Sequence, residues 1–309
     1  MTDSVADRLA GTAYAAGWAT VKALPHPLAA AGFRAAADLA VRRDGPRVHQ
    51  LRANLSRVVG PDTSTAELAA LTRRAVRSYA RYWLETFRLP AMRPADIAAR
   101  VHVTGAEHVD AAYGRRGVIL ALPHMGNWDA AGVWMIDRGV PFTTVAERLK
   151  PESLFTRFVA YRESLGMEVL ALHGGERPPV DVLRERLGAG GLVCLVADRD
   201  LSEAGIPVTF FGAPASMPAG PALLAVTTGA ALLPTVTWNE GPDWSLAIRP
   251  PLAVPAGGRL RDRVRSITQA LADRFAADIA ARPEDWHMLQ PFWVADRERQ
   301  RTTVPVRAG

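Results

Sequence analysis

A single cysteine, two lysines and the lack of any long apolar run set the first limits on this chain. Cys194 lies inside Gly191-Leu-Val-Cys-Leu-Val-Ala197, so no disulfide can form within the chain. An apolar-flanked lone thiol reads as a small core residue rather than a nucleophile. No stretch reaches the roughly 18 uninterrupted apolar residues of a spanning helix, and the first residues lack the basic cluster and compact apolar core of a secretory signal. A protein that does not cross a membrane is expected. No Gly-x-Ser-x-Gly turn occurs, since Ser164 has Gly166 after it but Arg162 before it. His-Glu-x-x-His and paired-cysteine spacings are missing too, which removes the common zinc signatures. Internal repeats and low-complexity linkers are absent.

What is present is a chain rich in arginine and in core-forming residues. Lysines and arginines number 37 against 31 acidic residues, a net charge of +6, with a pI near 10.0. Lys22 and Lys150 are the only lysines, so nearly every cation is a guanidinium. Such a charge suits anionic lipid, phosphorylated ligands or nucleic acid without choosing among them. The cations are dispersed, and no helix-turn-helix, finger or RNP-like pattern accompanies them, so nucleic acid is not expected as a partner. A hydrophobic content of 49% over 309 residues supports a sizeable core.

Helical periodicity dominates up to residue 100. A helix is expected from Val5 to Lys22, a second bearing Leu28, Phe33, Leu39 and Val41, a basic one around Arg47 to Val58, and a long one from Thr65 to Phe87. The first two either pack on the core or lie on a membrane, since an apolar helix face looks the same in both settings. Beyond Arg116 short β-rich runs alternate with helical ones: 117–122, 141–145, 167–171, 192–196, 208–211, 231–237 and 244–248. This order predicts an α/β fold with a central, mostly parallel sheet covered by helices on both faces. The expected organisation is one structural domain: a helical region over 1–100, a core over 101–295, and a loose Arg- and Thr-rich tail over 296–309.

The chemistry concentrates in Leu122-Pro-His-Met-Gly-Asn-Trp-Asp129. His124 follows a fully apolar strand, where open α/β sheets place their ligands, and Asn127 is an N-cap for the helical run that starts at Trp128. On one continuous helix His124 and Asp129 would point roughly 140° apart. A tight turn at Gly126 lets them meet, with Asp129 orienting one imidazole nitrogen and leaving the other as a base. A base with an orienter but no serine suits direct transfer: His124 deprotonates an acceptor hydroxyl, which attacks an activated acyl carbonyl, and backbone N–H groups at the helix start stabilise the oxyanion. The bland alternative is a capped structural histidine at a strand end.

His-x4-Asp after an apolar strand resembles the signature of the glycerolipid and lipid A biosynthesis acyltransferases. Several segments agree with that family in order. They are Val145-Ala-Glu-Arg148-Leu-Lys150, Phe158 to Gly166 with Arg162, Ala197-Asp198-Arg199-Asp200, Val208 to Gly212, Gly220 to Ala225, and Arg282 to Trp293. Coverage runs from about residue 100 to 295. The resemblance lies closest to the branch that acylates a mannose hydroxyl of a mannosylated phosphoinositide. It implies an acyl-CoA donor, typically palmitoyl-CoA, no further cofactor, and peripheral attachment to the anionic inner leaflet of the plasma membrane. Another glycolipid or a lysophospholipid is the alternative acceptor.

Within this picture His124 and Asp129 are the expected catalytic residues, and Asn127, Arg148, Arg162, Asp198, Arg199, Asp200 and Trp293 the expected substrate contacts. Asp198 and Asp200 face one side of an extended segment and Arg199 the other. They serve either as sugar-hydroxyl acceptors or as a structural ion pair. Arg148 and Arg162 are either headgroup contacts or members of a solvated face. Trp286, His287, Phe292 and Trp293 read as core aromatics or as interfacial and sugar-stacking groups. A metal-dependent hydrolase using His124, Asp129, Asp198 and Asp200 as ligands is the rival reading.

Overall fold

In the computed structural model, which describes residues 17, 18, 20–147, 152–200 and 204–303, the run Val118–Leu122 (β2) is buried along its whole length near the middle of a seven-stranded sheet. Its even residues Val118, Leu120 and Leu122 enter one hydrophobic cluster and its odd residues Ile119 and Ala121 another. The period-two alternation of a strand thus feeds two cores, which is why β2 reads as continuously apolar. The sheet also contains β1 (Val101–Thr104), β3 (Phe142–Ala146), β4 (Glu168–Ala171), β5 (Leu192–Val196), β8 (Ala231–Glu240) and β9 (Asp243–Ile248), in the order β1-β9-β8-β2-β5-β3-β4. Only the β8–β9 hairpin is antiparallel. The expected α/β class with a mostly parallel sheet holds.

Two strands were not legible in the sequence. β1 is short and carries His102 and Thr104, and β7 (Ala213–Met217) pairs with β6 (Ile206–Phe210) in a separate antiparallel ribbon. Pro207 and Pro214 lie in that ribbon, where a two-stranded edge tolerates a missing donor.

The N-terminal helices α1 (His26–Arg43), α2 (Pro46–Val59) and α3 (Thr65–Arg88) share a third cluster built on Ala37, Leu51, Leu55, Leu71 and Ala75. Ser64 and Glu67 start α3 with a reciprocal capping box. Most of the expected helix from Val5 to Lys22 lies outside the described residues. Trp18 is described, and its indole N–H donates to the Phe87 carbonyl at 3.0 Å. α1 packs on α3 yet leaves Leu28 62% exposed, and Leu39, about three turns further along, exposed as well. Among the described residues no helix is long and apolar enough to cross a membrane.

Short helices α4 (Pro94–Ala98) and α5 (Ala106–Asp110) flank β1. Helices α6 (Trp128–Asp137), α7 (Glu152–Ser164), α8 (Pro179–Gly188), α9 (Gly220–Thr228) and α10 (Leu260–Ala281) follow the expected alternation. The tail departs from expectation. Residues Val294–Thr303 form a helix, α11, held by the ion pair of Asp296 with Arg57 of α2. A buried carboxylate needs such a partner, and meeting it orders the segment.

Candidate active site

Strand register decides what stands beside His124. β2 and β5 run parallel with Leu122 opposite Val196, so positions 124 and 198 leave the sheet side by side at its carboxyl edge. Asp198 is fully buried. Its Oδ1 lies 2.5 Å from His124 Nδ1, and its Oδ2 accepts the His124 backbone N–H and the Trp286 indole N–H, each at 3.0 Å. Burial alone would raise this carboxyl; the charge and donors of His124, with the indole N–H, outweigh it and hold Asp198 below the usual carboxylate range. An ionised carboxylate only accepts, so Nδ1 carries a proton, and in the neutral imidazole it is Nε2 that holds the lone pair. His124 lines an open cleft.

The expected bond between His124 and Asp129 is corrected by this geometry. Asp129, in the first turn of α6, accepts Arg162 Nε at 2.9 Å and the Tyr82 hydroxyl at 3.3 Å. Its partners come from α7 and α3, so the helix start turns the carboxylate away from the imidazole. Burial disfavours the Arg162 charge, but the Asp129 carboxylate more than restores it and keeps the guanidinium protonated. Burial and the same carboxylate push the Tyr82 hydroxyl well up.

The turn between strand and helix depends on Gly126. Its φ is +60°, and a Cβ there would lie 2.5 Å from the Thr237 backbone, so no other residue fits without displacing β8. Asn127 caps α6 by accepting the Ala130 N–H, while its amide donates to Glu85 at 2.7 Å. Both ends of this side chain are occupied and the residue is buried, so its expected role as a substrate contact is replaced by a structural one.

A short segment from the C-terminal half lies along the turn. Gly126 N–H donates to the Asp285 carbonyl, His287 N–H to the His124 carbonyl, and Met125 bridges Trp286. The Asp285 side chain accepts Ser78 Oγ at 2.5 Å and the Asn239 amide at 2.8 Å. Ser78 Oγ in turn lies 3.1 Å from His287 Nε2. Burial pushes the His287 imidazole down to about 3, aided by the nearby charge of His124.

The cleft at His124 measures about 450 Å³, within the range of small-molecule sites. Trp128 and Arg162 join His124 in its wall, and Val145, Leu172, Val180, Leu183, Leu195 and Leu224 supply apolar surface. Arg199 and Glu147 also line it and pair with each other at 2.7 Å. A cavity of about 530 Å³ between α1, α3 and the β8–β9 turn is larger but is not lined by His124, so the chemistry belongs to the smaller cleft.

The remaining expected contacts divide. Arg162 and Arg199 reach the cleft. Asp198 is fully buried and gives its oxygens to His124 and Trp286, so it does not face the cleft as a sugar contact. Asp200 borders the cleft, but its Oδ2 accepts the Gly205 N–H and the Ser216 hydroxyl, which ties Gly205 to β7. The extended Asp198-Arg199-Asp200 pattern does not persist past β5, and the three side chains go to three different partners. Trp293 is only 1% exposed, donates to the Phe210 carbonyl and lies under Arg57; it is a core residue, not a cleft contact. Arg148 lies outside the described residues. Among those residues no three His, Cys, Asp or Glu side chains converge as a metal site; of the four ligands of the hydrolase reading, His124 and Asp198 pair with each other, while Asp129 and Asp200 go to other partners. Trp128 and Glu147, which lie inside the motif segments but are not among the expected contacts, also line the cleft.

The model of the bacterial lipid A biosynthesis acyltransferases matches residues 6–294. Phosphatidylinositol mannoside acyltransferase of Mycolicibacterium smegmatis is 53% identical over 290 residues, covering 93% of this chain and 92% of that one. The protein of the same name from Mycobacterium tuberculosis is 53% identical over 293 residues, covering 94% and 90%. The crystal structure of a 1-acyl-sn-glycerophosphate acyltransferase from Thermotoga maritima has a TM-score of 0.37 at 15% identity, covering 76% of this chain and 95% of that one, too distant to add to the assignment.

Proposed function

The chain belongs to the bacterial lipid A biosynthesis acyltransferase family and is an acyltransferase, and from that premise we propose that it moves a palmitoyl chain from palmitoyl-CoA to a mannose hydroxyl of a phosphatidylinositol mannoside. The observation that carries this reading is the His124 imidazole, fixed by Asp198 through Nδ1 in the wall of a largely apolar cleft. Nε2 takes the proton of the acceptor hydroxyl as its oxygen attacks the thioester carbonyl. Collapse of the tetrahedral intermediate breaks the carbon–sulfur bond, and the imidazolium returns the proton to the departing thiolate. No acyl-enzyme forms. The apolar side chains from Val145 to Leu224 take the acyl chain, and Arg162, held charged by Asp129, provides a cation for the acceptor headgroup or the developing oxyanion.

The names of the relatives support the acceptor. The exposed Leu28 and Leu39 on α1 support peripheral seating on the cytoplasmic face of the plasma membrane. Incubation with labelled palmitoyl-CoA and membrane glycolipids, followed by mass identification of the product, tests donor, acceptor and reaction together. His124→Ala is expected to abolish transfer while leaving the fold intact, and sustained turnover by that variant overturns the mechanism.

A further inference from the structure

We propose that Trp286 is a positioning residue for the His124–Asp198 pair, holding the Asp198 carboxylate through its indole N–H. The inference rests on the reading of His124 as the base. Asp198 receives three hydrogen bonds, and two of them come from His124 itself, through its ring and its backbone. Trp286 supplies the tie from another part of the chain, reaching Oδ2 across 88 residues of sequence. Without it the carboxylate would be fixed only by the residue it is meant to orient.

The indole is well placed for such work because it cannot move. Trp286 is wholly buried. Its backbone bridges Met125, next to the base. Its ring centroid lies 5.4 Å from that of Phe292, and 6.1 Å from those of Phe210 and Trp293. An indole N–H only donates, so it favours the ionised carboxylate over the protonated one. When His124 takes the acceptor's proton, the adjacent carboxylate must stay charged and in place, and a donor on its far oxygen serves both ends.

Trp293 is an internal control. It stands in the same aromatic cluster with an equally buried indole, but its N–H donates to the Phe210 carbonyl at 2.9 Å rather than to the dyad. Trp286→Phe keeps a ring in the cluster and removes the N–H. We expect kcat to fall about tenfold or more, the worth of one hydrogen bond to a charged group, with KM for palmitoyl-CoA little changed. The acid limb of the pH–rate profile moves to higher pH, because a carboxylate that has lost a donor binds the imidazolium more strongly. Trp293→Phe leaves that limb where it is in the parent enzyme.

A second measurement needs no variant of Trp286. In protein labelled with 15N-tryptophan, the Trp286 indole resonance follows the titration of the dyad, and the Trp293 resonance does not. In His124→Ala the Trp286 response disappears. Unchanged kcat and acid limb in Trp286→Phe, a rate loss with an unmoved limb, or a Trp286 resonance indifferent to pH each overturns the inference. Transfer by His124→Ala would instead remove the base itself, a failure distinct from that of Trp286.

Discussion

His124 and Asp198 stand at matching steps beyond the ends of adjacent parallel strands, and their side chains meet at 2.5 Å. Asp198, not Asp129, therefore fixes the imidazole tautomer. Asp198→Asn is expected to cut kcat by a factor on the order of 10³ or more, the scale seen when the orienting carboxylate of a catalytic histidine is neutralised. Steady-state rates with palmitoyl-CoA, beside a circular dichroism spectrum of the variant, check this. A variant within tenfold of the parent would detach Asp198 from the chemistry.

Asp129 and Arg162 form a buried ion pair with the Tyr82 hydroxyl close by. Removing either charge strands the other in the interior, so Asp129→Asn and Arg162→Met are each expected to lose about 3–5 kcal/mol of stability. The double variant should lose less than the sum of the two, because neither charge is then left alone. Urea unfolding of the four proteins measures the coupling. Strict additivity would show that the pair does not act as a unit.

The contrast between these two carboxylates shows how far the sequence could be read. The apolar run of β2, the turn at Gly126 and the cap at Asn127 follow from local residue chemistry, and each is found. Which carboxylate faces His124 depends instead on strand order, since Asp198 is 74 positions away and becomes a neighbour only because β5 lies next to β2. Nothing in a five-residue spacing carries that information. The same limit separates Trp286 from Trp293. Both are aromatic members of one segment, but only Trp286 bridges Met125 and so reaches the dyad. Asp200 misled for a related reason: a polar residue just past a strand end can serve the cleft or its own loop, and Gly205 and Ser216 claim it.

The apolar cleft predicts a dependence on chain length that its lining side chains control. Leu183 and Leu224 line it from α8 and α9. Leu224→Trp adds bulk within that space, and overpacking or exclusion penalises a long chain more than a short one. The expected result is a fall in kcat/KM of about tenfold or more for palmitoyl-CoA, with butyryl-CoA little affected. Equal losses for both donors would place the acyl chain elsewhere.

Acid should weaken the fold before it protonates Asp198. His287 is buried among Tyr79, Tyr82 and Trp128, and its imidazole is pushed down to about 3 by burial, with His124 adding to the effect. Below the ordinary histidine value of 6.5 the unfolded chain gains a proton at this position that the folded protein refuses. Stability therefore drops as pH falls from 6.5 towards 3, with a slope of at most about 1.4 kcal/mol per pH unit from this group. Asp198 acts in the same direction only lower, since its depressed carboxyl begins to cost stability below the usual aspartate value of 3.8. Asp285 works against both: burial raises its carboxyl, so its contribution favours the fold at low pH and fades as pH rises through its folded value. Urea unfolding at pH 7, 6 and 5, compared with His287→Gln, isolates the histidine. The parent is expected to lose stability steadily over this interval and the variant to show a shallower slope; parallel slopes would mean that His287 takes up its proton without unfolding.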